Sequence, residues 1–248
     1  MHRLRDMKIL EIKVSAGMGG GDIEGSNVTQ DRRTHFHDRQ TMKTLAQISV
    51  SICRGAFLAI YFCRYSCHVI DALGQGFHLT DVNHGVQFKF FTNKPPVQVS
   101  WTDAAFRNGW LALDRNGNGL IDDATELFGN LTSQPQNPNR NGYIALAVFD
   151  DPQNGGNGNG LIDPRDTVYD RLRVWIDANH NGVSEPGELH RLRELGVFSI
   201  DLRYRMSKYV DPNGNQFRYQ ARIRDQAGRR HDACYDVILE FEFTPTNQ

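Results

Sequence analysis

Apolar and polar residues alternate over several short stretches from residue 67 onward, and this period predicts β-strands. The stretch 68–80 contains two apolar runs around a glycine-rich turn, which indicates a hairpin. The stretches 85–91 and 96–101 alternate and predict two further strands. The alternation resumes after a long polar middle, where the predicted strands are 197–205, 215–225 and 234–243, with a polar turn at 211–215.

Between these strands, the middle of the chain has the residue pattern of short helices. The stretch 141–151 has helical apolar spacing. The stretch 163–175 begins with an aspartate followed by Pro164, which is a favourable helix start, and 185–196 has the same pattern and ends on Gly196. We therefore predict an α+β fold, in which a β-rich frame of antiparallel strands and hairpins surrounds short helices.

The N-terminal part differs in composition from the rest of the chain. Residues 1–41 have no sustained apolar period and are rich in Gly, Asp and Arg, which predicts a disordered or spurious extension. From Met42 a short basic start precedes an apolar stretch, as in a secretory signal peptide, but Arg54 interrupts that stretch. Residues 42–66 are therefore a signal peptide or an amphipathic helix, and the folded domain is predicted over 67–245.

Composition and charge narrow the classes of function. The 248 residues are 39% hydrophobic, which is enough for one large domain with a real core. A formal net charge of −1 gives no electrostatic reason to expect nucleic acid or an anionic membrane as partner. The four cysteines form no CxxC pair, so a zinc knuckle is not expected. They are either buried thiols or, in an oxidising compartment, partly joined in a disulfide.

The most informative motif is the twelve-residue stretch DANHNGVSEPGE (177–188). Positions one, three and five carry side-chain oxygens, and Gly182 at position six permits a sharp bend. The residue at position seven offers a backbone carbonyl, and the glutamate at twelve can close the site with two oxygens. This is the pattern of an EF-hand calcium loop with Asn in place of two Asp. The predicted ligands are Asp177, Asn179, Asn181, the carbonyl of Val183, and Glu188.

The stretch DRNGNGLIDDATE (114–126) repeats this pattern, with Gly119 at position six and an apolar residue at position eight. Its closing carboxylate comes one residue late, because Thr125 occupies position twelve. A slightly longer loop would still bring that carboxylate to a cation. The predicted ligands are Asp114, Asn116, Asn118, the carbonyl of Leu120, Asp122 and Glu126.

A further copy lies within 150–166, where the first ligand is uncertain from spacing alone. Counting back from Gly160 at position six places Gly155 at position one, which has no side-chain oxygen. Asp150 or Asp151 can supply that oxygen if the residues between bulge out as an insertion. The predicted ligands are Asp150, Asn157, Asn159, the carbonyl of Leu161, Asp163 and Asp166.

Three copies within the 75 residues 114–188 favour calcium over ordinary turns. A single Asn-Gly motif is weak, because the same residues form plain turns. A turn needs glycine at one position, but it does not need oxygens at alternate residues. Calcium takes about six to eight oxygen ligands, which alternate side chains and one carbonyl can provide. We therefore predict EF-hand-like calcium loops.

The order of these motifs resembles a known group of proteins. LALDRNGNGLIDDATELFGN, NGYIALAVFDDPQNGGNGNGLIDPRD, LRVWIDANHNGVSEPGEL and LGVFSIDL are similar to the EF-hand-like repeat region of secreted bacterial calcium-binding proteins, which also occurs in haemolysin-type (RTX-related) proteins. The resemblance covers about 67–243 and implies a secreted or cell-surface calcium-binding domain without catalysis. The nonapeptide repeats of RTX toxins are absent, and the stretch 90–99 lacks the carboxylates of a fourth site.

Other chemistries have less support in the sequence. No HExxH, GxSxG or Cys–His–Asn pattern is present. Glycosidase acids would not need the alternate spacing of these carboxylates. We predict a non-enzymatic extracellular structural or binding domain stabilised by calcium, with calcium ions and a protein or cell-surface ligand as partners and no integral membrane span. The alternative is a dockerin-like protein–protein interaction module, although strands flank these loops and a dockerin is far shorter.

Overall fold

The structure, a computed structural model, describes residues 65–242. The described strands are β1 (Ser66–Asp71), β2 (Val86–Phe88), β3 (Val97–Val99), β4 (Asn108–Ala112), β5 (Leu161–Ile162), β6 (Arg173–Trp175), β7 (Leu189–Arg191), β8 (Ser199–Asp201), β9 (Arg205–Val210), β10 (Gln216–Arg224), β11 (Arg230–Ile238) and β12 (Phe241–Glu242). Helix α1 spans Gly142–Ala147, and 3-10 helices span Pro152–Asn154, Pro186–Glu188 and Leu192–Leu195. The predictions for 1–41 and for all but the last two residues of 42–66 lie outside the described residues.

The described strands form two antiparallel sheets. The larger sheet has nine strands in the order β5-β8-β10-β11-β1-β4-β6-β7, with β9 paired to β10. The smaller sheet has the order β12-β3-β2. Strand β1 lies in the middle of the larger sheet, between β11 and β4, and all six of its residues are buried. A strand that is buried on both faces carries apolar residues in succession, which explains the sequence Val69-Ile70.

Successive residues of the larger sheet supply two separate hydrophobic cores, because side chains alternate between the two faces. Ile70 belongs to the core that helix α1 covers, and Val69 belongs to the core that the smaller sheet covers. The second core contains the three tryptophans of the chain. The ring centroid of Trp101 lies 4.9 Å from that of Trp110 and 5.4 Å from that of Trp175.

Helix α1 is short and is fixed at its first turn. The side chain of Asn141 accepts hydrogen bonds from the backbone N–H groups of Tyr143 and Ile144, as an N-cap residue does. The Tyr143 hydroxyl donates to the backbone carbonyl of Cys234 at 2.8 Å. These contacts place the helix across β1 and β11, and its C-terminal end leads to Asp150.

The prediction of an α+β fold is wrong. The described residues form a mostly antiparallel β fold with a single six-residue α-helix. The stretch 163–175 forms turns followed by β6, and 185–196 forms two 3-10 helices on either side of β7. Asp-Pro and Glu-Pro-Gly favour the start of a helix, but they are equally compatible with a single turn. The pairing of β6 with β7 then prevents a longer helix, because tertiary contacts override weak local propensity.

Several individual elements are confirmed, and one hairpin is not. The short helix falls within 141–151, and the strands predicted at 85–91 and 96–101 pair with each other as β2 and β3. The turn at 211–215 joins β9 to β10. The predicted hairpin 68–80 does not form: β1 pairs with β11 and β4, and Leu79 instead bridges to Thr102.

The cysteines within residues 65–242 are reduced. Cys67 and Cys234 are free and buried, and they belong to different cores. Burial raises the pKa of the Cys67 thiol well above its ordinary value and raises the pKa of Cys234 to about 12. Both thiols are therefore protonated at neutral pH and unreactive. Cys53 and Cys63 lie outside the described residues.

Gly129 allows a close backbone approach that holds the first strand in place. It forms an isolated bridge with Cys67, and a Cβ at this position would lie 1.7 Å from the carbonyl oxygen of Ser66. We expect Gly129→Ala to lower the free energy of unfolding by about 1–3 kcal/mol or more, because the backbone must move. Gly187→Ala is the matched control, because a Cβ there meets nothing within 4 Å. Urea unfolding of both variants tests this, and equal stabilities would contradict the packing account.

Candidate metal centre

The three predicted loops follow directly on three elements of the fold. The first loop (114–126) follows β4, the second (150–166) follows α1, and the third (177–188) follows β6. The first and third loops are neighbours, since β4 pairs with β6. They also touch at position eight, where the backbone N–H of Ile121 donates to the Ser184 hydroxyl at 2.7 Å.

In the third loop, the first and last carboxylates hold the backbone. Asp177 accepts hydrogen bonds from the backbone N–H groups of Asn181 at 3.1 Å and Gly182 at 2.8 Å. Glu188 Oε1 accepts from the N–H of Ala178 at 2.9 Å. Asp177 and Glu188 are both buried. The two carboxylates therefore close the loop from opposite ends.

Two tryptophans connect this loop to the core. The indole N–H of Trp101 donates to Asp177 Oδ2 at 2.9 Å, and the indole N–H of Trp175 donates to Glu188 Oε2 at 3.1 Å. Both indoles are fully buried. Because buried indole N–H groups need an acceptor, the core fixes the positions of both carboxylates.

One acidic residue of this loop is not among the ligands predicted from the sequence. Glu185 stands at position nine, and its Oε1 accepts from the side-chain amides of Asn179 at 3.3 Å and Asn181 at 2.9 Å. Its other oxygen, Oε2, is buried and has no hydrogen-bond partner among the described residues. Counting nine positions from Asp177 would have found it, because position nine holds Asp122 and Asp163 in the other loops.

Like charges are close together in the third loop. Burial, and next the neighbouring Glu185, raise the pKa of Glu188, and the charge of Asp177 acts in the same direction. The amide of Asn181 holds the pKa of Glu185 below its ordinary value. A cation placed among these carboxylates would remove their mutual repulsion.

The first loop has the same arrangement despite its late closing residue. Asp114 accepts from the N–H groups of Gly117 at 2.6 Å and Gly119 at 2.8 Å. Glu126 accepts from the N–H groups of Arg115 and Asp122, each at 2.8 Å. The extra residue is therefore absorbed, and Glu126 accepts from the loop backbone as Glu188 does in the third loop.

In the first loop, the carboxylate at position nine also accepts hydrogen bonds from the asparagine amides. The side-chain amides of Asn116 and Asn118 both donate to Asp122 Oδ2 at 2.8 Å. Glu185 has the same role in the third loop. The amides thus stand between the carboxylates, at the point toward which the predicted ligands converge.

The second loop has Asp150 at its first position. Asp150 accepts from the N–H groups of Asn159 at 3.1 Å and Gly160 at 2.8 Å. Asp151 instead caps the 3-10 helix that follows it, by accepting from the N–H of Gln153 at 2.8 Å. The inserted residues therefore bulge out as this helix, and Asp150 reaches back across the insertion.

The closing side of the second loop includes a positive charge. Asp166 accepts from the N–H of Asn157 at 3.1 Å and from that of Asp163 at 2.7 Å. The guanidinium of Arg165 donates to both oxygens of Asp163, at 3.1 and 2.6 Å, and holds the pKa of that carboxyl below its ordinary value. Burial raises the pKa of Asp166. This loop therefore already has a cationic partner for one of its acids.

The backbone follows one path in all three loops. Positions four and six are left-handed in each, with φ values of +76° and +86° at Gly117 and Gly119, +68° and +80° at Gly158 and Gly160, and +57° and +70° at His180 and Gly182. His180 is the only residue other than glycine with a positive φ in the described chain. Its ring nitrogens lie 3.0 Å from the carbonyl oxygen of Thr102 and 2.8 Å from that of His84, which hold it there.

The residues at position seven share one backbone contact. The backbone N–H of each donates to the asparagine two residues earlier, at distances of 2.7–2.8 Å. Their side chains do not approach the loop centre as donors, because they are aliphatic. The residues concerned are Leu120, Leu161 and Val183.

A fourth turn has the same path but no carboxylate at position nine or at its close. Asp71 accepts from the N–H groups of Gln75 at 3.2 Å and Gly76 at 2.7 Å, and positions four and six are again left-handed. Leu73 and Gln75 replace the asparagines, and Asn108 takes the place of a closing acid by accepting from the N–H of His78 at 2.7 Å. The backbone path alone therefore does not indicate a cation; the oxygen donors distinguish the other three loops.

Carboxylate and amide side chains line these loops, and their oxygens suit a hard cation such as Ca²⁺ better than zinc. Among residues 65–242, no group of three or more His, Cys, Asp or Glu side chains is arranged to hold a metal ion. In each loop, asparagine N–H₂ groups donate to the loop carboxylates. The third loop also has a buried carboxylate oxygen, Glu185 Oε2, without a hydrogen-bond partner among the described residues.

No helix within the described residues is both long enough and apolar enough to span a membrane.

Comparison with known proteins gives the family. A family model described as the SPM domain matches residues 68–240. The chain belongs to the SPM domain family. The matched region contains most of the central strand β1, the strands β2 to β11 and all three loops, and it ends just before β12.

One curated relative aligns with about half of the chain. It is the iron-regulated protein FrpA of Neisseria meningitidis serogroup C, which is 40% identical over 123 residues. The alignment covers 49% of this chain and 10% of that protein. The similarity therefore covers only a small part of a much longer protein.

Asp150 and Asp151 offer a matched test of the second loop. We expect Asp150→Ala to lower the free energy of unfolding by about 1.5–3 kcal/mol in metal-free protein, because two backbone N–H groups lose a buried, charged acceptor. Asp151→Ala removes only an exposed cap and should cost about 1 kcal/mol or less. Chemical unfolding in the presence of chelator measures both variants. A larger loss for Asp151→Ala would reject Asp150 as the first residue of the loop.

Proposed function

We propose that this SPM domain is an extracellular, non-enzymatic structural or binding domain that calcium stabilises through its three EF-hand-like loops. The third loop is its best site, with side-chain oxygens from Asp177, Asn179, Asn181, Glu185 and Glu188. The support comes from the donor set of these loops and from the resemblance of the motifs to secreted calcium-binding proteins.

One observation carries the proposal. Three loops of different length, one regular, one with a late closing acid and one with an insertion, converge on the same arrangement of first, ninth and closing carboxylates. The turn that begins at Asp71 keeps the backbone path without these donors. Repetition of the donors therefore needs a reason other than turn formation, and cation binding supplies one.

A calcium ion bound in such a loop would neutralise the negative charge of the loop's carboxylates. The carboxylates that repel one another in the third loop would share one cation, and the asparagine amides would turn their oxygens toward it. The closing Glu188 would contribute two oxygens, held in place by Trp175. Because asparagine lowers the ligand charge, we expect weak sites, with dissociation constants of about 0.1–1 mM as in extracellular modules.

A dockerin-like interaction module is the second candidate, and the described fold gives it less support. Such a module places a helix after each loop, whereas turns and β6 follow the second loop and β7 follows the third. Calcium-dependent capture of one defined protein partner, lost on chelation, would favour that candidate.

Calcium should raise the thermal stability of the domain, because a cation that binds only the folded state stabilises it. For a site with a dissociation constant of about 0.1 mM, about 1 mM free calcium adds about 1.4 kcal/mol. Differential scanning calorimetry with chelator and with several millimolar calcium tests this, with magnesium as a comparison. An unchanged melting temperature would reject the proposal.

Glu188→Gln should remove one site from a calorimetric calcium titration, because an amide cannot replace a bidentate carboxylate. The matched control is Asp71→Asn, which alters an equally buried capping carboxylate in the turn without donors. It should lower stability but leave the stoichiometry unchanged. Tryptophan fluorescence gives a second readout, because Trp175 donates to Glu188. Wild-type stoichiometry and affinity in Glu188→Gln would contradict the assignment of the third loop.

A further inference from the structure

A serine hydroxyl joins the first loop to the third at position eight of each. Ser184 Oγ accepts a hydrogen bond from the backbone N–H of Ile121 at 2.7 Å, and it lies 3.4 Å from the carbonyl oxygen of the same residue. Ile121 and Ser184 are both buried. Ile121 packs in the core that contains Trp101 and Trp175, whose indole N–H groups donate to the third loop. The two loops therefore meet through a short contact that the core holds in place.

The N–H group that donates to Ser184 belongs to the same peptide group as a predicted calcium ligand. A peptide group is planar, and the described chain contains no cis peptide bond. The N–H of Ile121 and the carbonyl of Leu120 therefore point in opposite directions. Because the N–H points to Ser184, the hydroxyl sets the direction of the Leu120 carbonyl, which is the ligand predicted at position seven of the first loop. The preceding peptide is fixed within the loop, since the N–H of Leu120 donates to Asn118 Oδ1 at 2.8 Å.

Ser184 itself stands between two predicted oxygen donors of the third loop. Val183 at position seven offers its backbone carbonyl, and Glu185 at position nine offers its carboxylate. A cation held by both would fix the backbone on each side of Ser184. Calcium in the third loop would thus order the residue that orients a ligand of the first loop.

Calcium in the first loop would act back on the same hydrogen bond. A cation on a carbonyl oxygen polarises the peptide group and makes its N–H a stronger donor, as in any chain of hydrogen bonds. Binding at each loop then favours binding at the other, and thermodynamic linkage requires the two effects to be equal. Repulsion between two calcium ions acts in the opposite direction and is screened by salt. A neutral substitution at Ser184 leaves that repulsion unchanged, so it isolates the contribution of the hydrogen bond.

The second loop provides an internal comparison. Its position eight is Ile162, which pairs with Ile200 of β8 and belongs to the core that α1 covers. A β-strand therefore takes the place that the third loop takes beside the first. A change at Ser184 should leave the second loop unaffected.

We propose that Ser184 is a positioning residue for the calcium site of the first loop, and that its hydroxyl makes calcium binding by the first and third loops cooperative. This inference rests on the proposed function, because both loops must bind calcium. The first and third loops then fill together, and the second fills independently. The hydrogen bond raises the calcium affinity of the first loop about fivefold, which corresponds to the typical net contribution of one hydrogen bond.

The test is a titration of full-length, isotope-labelled protein with calcium chloride, followed by two-dimensional NMR at one fixed pH. Each loop has its own reporter, because the amides of Gly119, Gly160 and Gly182 each donate to the first carboxylate of their own loop at 2.8 Å. In Ser184→Ala, the dissociation constant reported by Gly119 should rise about fivefold, and that reported by Gly160 should not change. Ser184→Thr retains the hydroxyl and should keep the wild-type constant.

Glu188→Gln measures the coupling itself, because it disables the third loop and keeps the serine. With Ser184 present, it should raise the dissociation constant reported by Gly119 about fivefold. In the Ser184→Ala background, the same substitution should change that constant less than twofold. Repulsion between ions would give the opposite sign, because loss of the neighbouring cation would then tighten binding at the first loop.

A dissociation constant of the first loop within twofold of the wild type in Ser184→Ala would overturn the proposal, as would equal losses at Gly119 and Gly160. If Ser184→Ala does not fold, Glu188→Gln and Glu126→Gln decide in the wild-type background. Each must weaken the loop that it leaves intact by the same factor, and no weakening would overturn the coupling. In these cases the glycine amides still respond to calcium, so the proposed function stands. If no loop amide of the wild type responds to several millimolar calcium, the proposed function fails and the coupling fails with it.

Discussion

The fold depends on one interaction, in which an aspartate carboxylate accepts from two backbone N–H groups further along the chain. These groups lie three to five residues on in three cases, and nine and ten residues on at Asp150, where the insertion intervenes. The interaction occurs where β1 ends, at Asp71, and in each of the three loops. At each place the chain leaves a buried element, and its amides would otherwise lose their acceptors. An unmade hydrogen bond of this kind costs about 1–3 kcal/mol. Left-handed residues at positions four and six make the bond possible, which accounts for much of the glycine in the middle of the chain.

The larger sheet explains why the third loop is the most firmly placed. In this loop, Asp177 and Glu188 accept from the indole N–H groups of two tryptophans, Trp101 and Trp175. Both rings belong to the core between the two sheets. The first loop is joined to the third through Ile121 and Ser184. The second loop lies on the other face of the larger sheet, where Asp150 follows the C-terminal end of α1. The geometry of the first and third loops is therefore linked to one core, and that of the second loop to the other.

The sequence was most informative where the determining pattern is local. The alternate oxygens of the loops, their glycines and most strand positions follow from spacing within about twelve residues. Helices at 163–175 and 185–196 were predicted wrongly, because Pro164 and Pro186 start only single turns here and the pairing of β6 with β7 is not visible locally. The first residue of the second loop was ambiguous for the same reason. No spacing rule could bring together Ile121 and Ser184, which are 63 residues apart and meet only in the folded chain.

The three loops combine two features, a backbone path capped by an aspartate and a set of further carboxylates. The turn at Asp71 has the backbone path without those carboxylates. It forms the capped path with Leu73 and Gln75 at positions three and five, so protein groups suffice to build the backbone of such a loop. A cation is then not needed to shape the loops, and its effect would depend on the charge that each loop leaves uncompensated. Arg165 compensates Asp163 in the second loop. In the third loop the carboxylates of Glu185 and Glu188 have only uncharged donors among the contacts that define the site. On electrostatic grounds, the third loop should therefore gain more from a cation than the second.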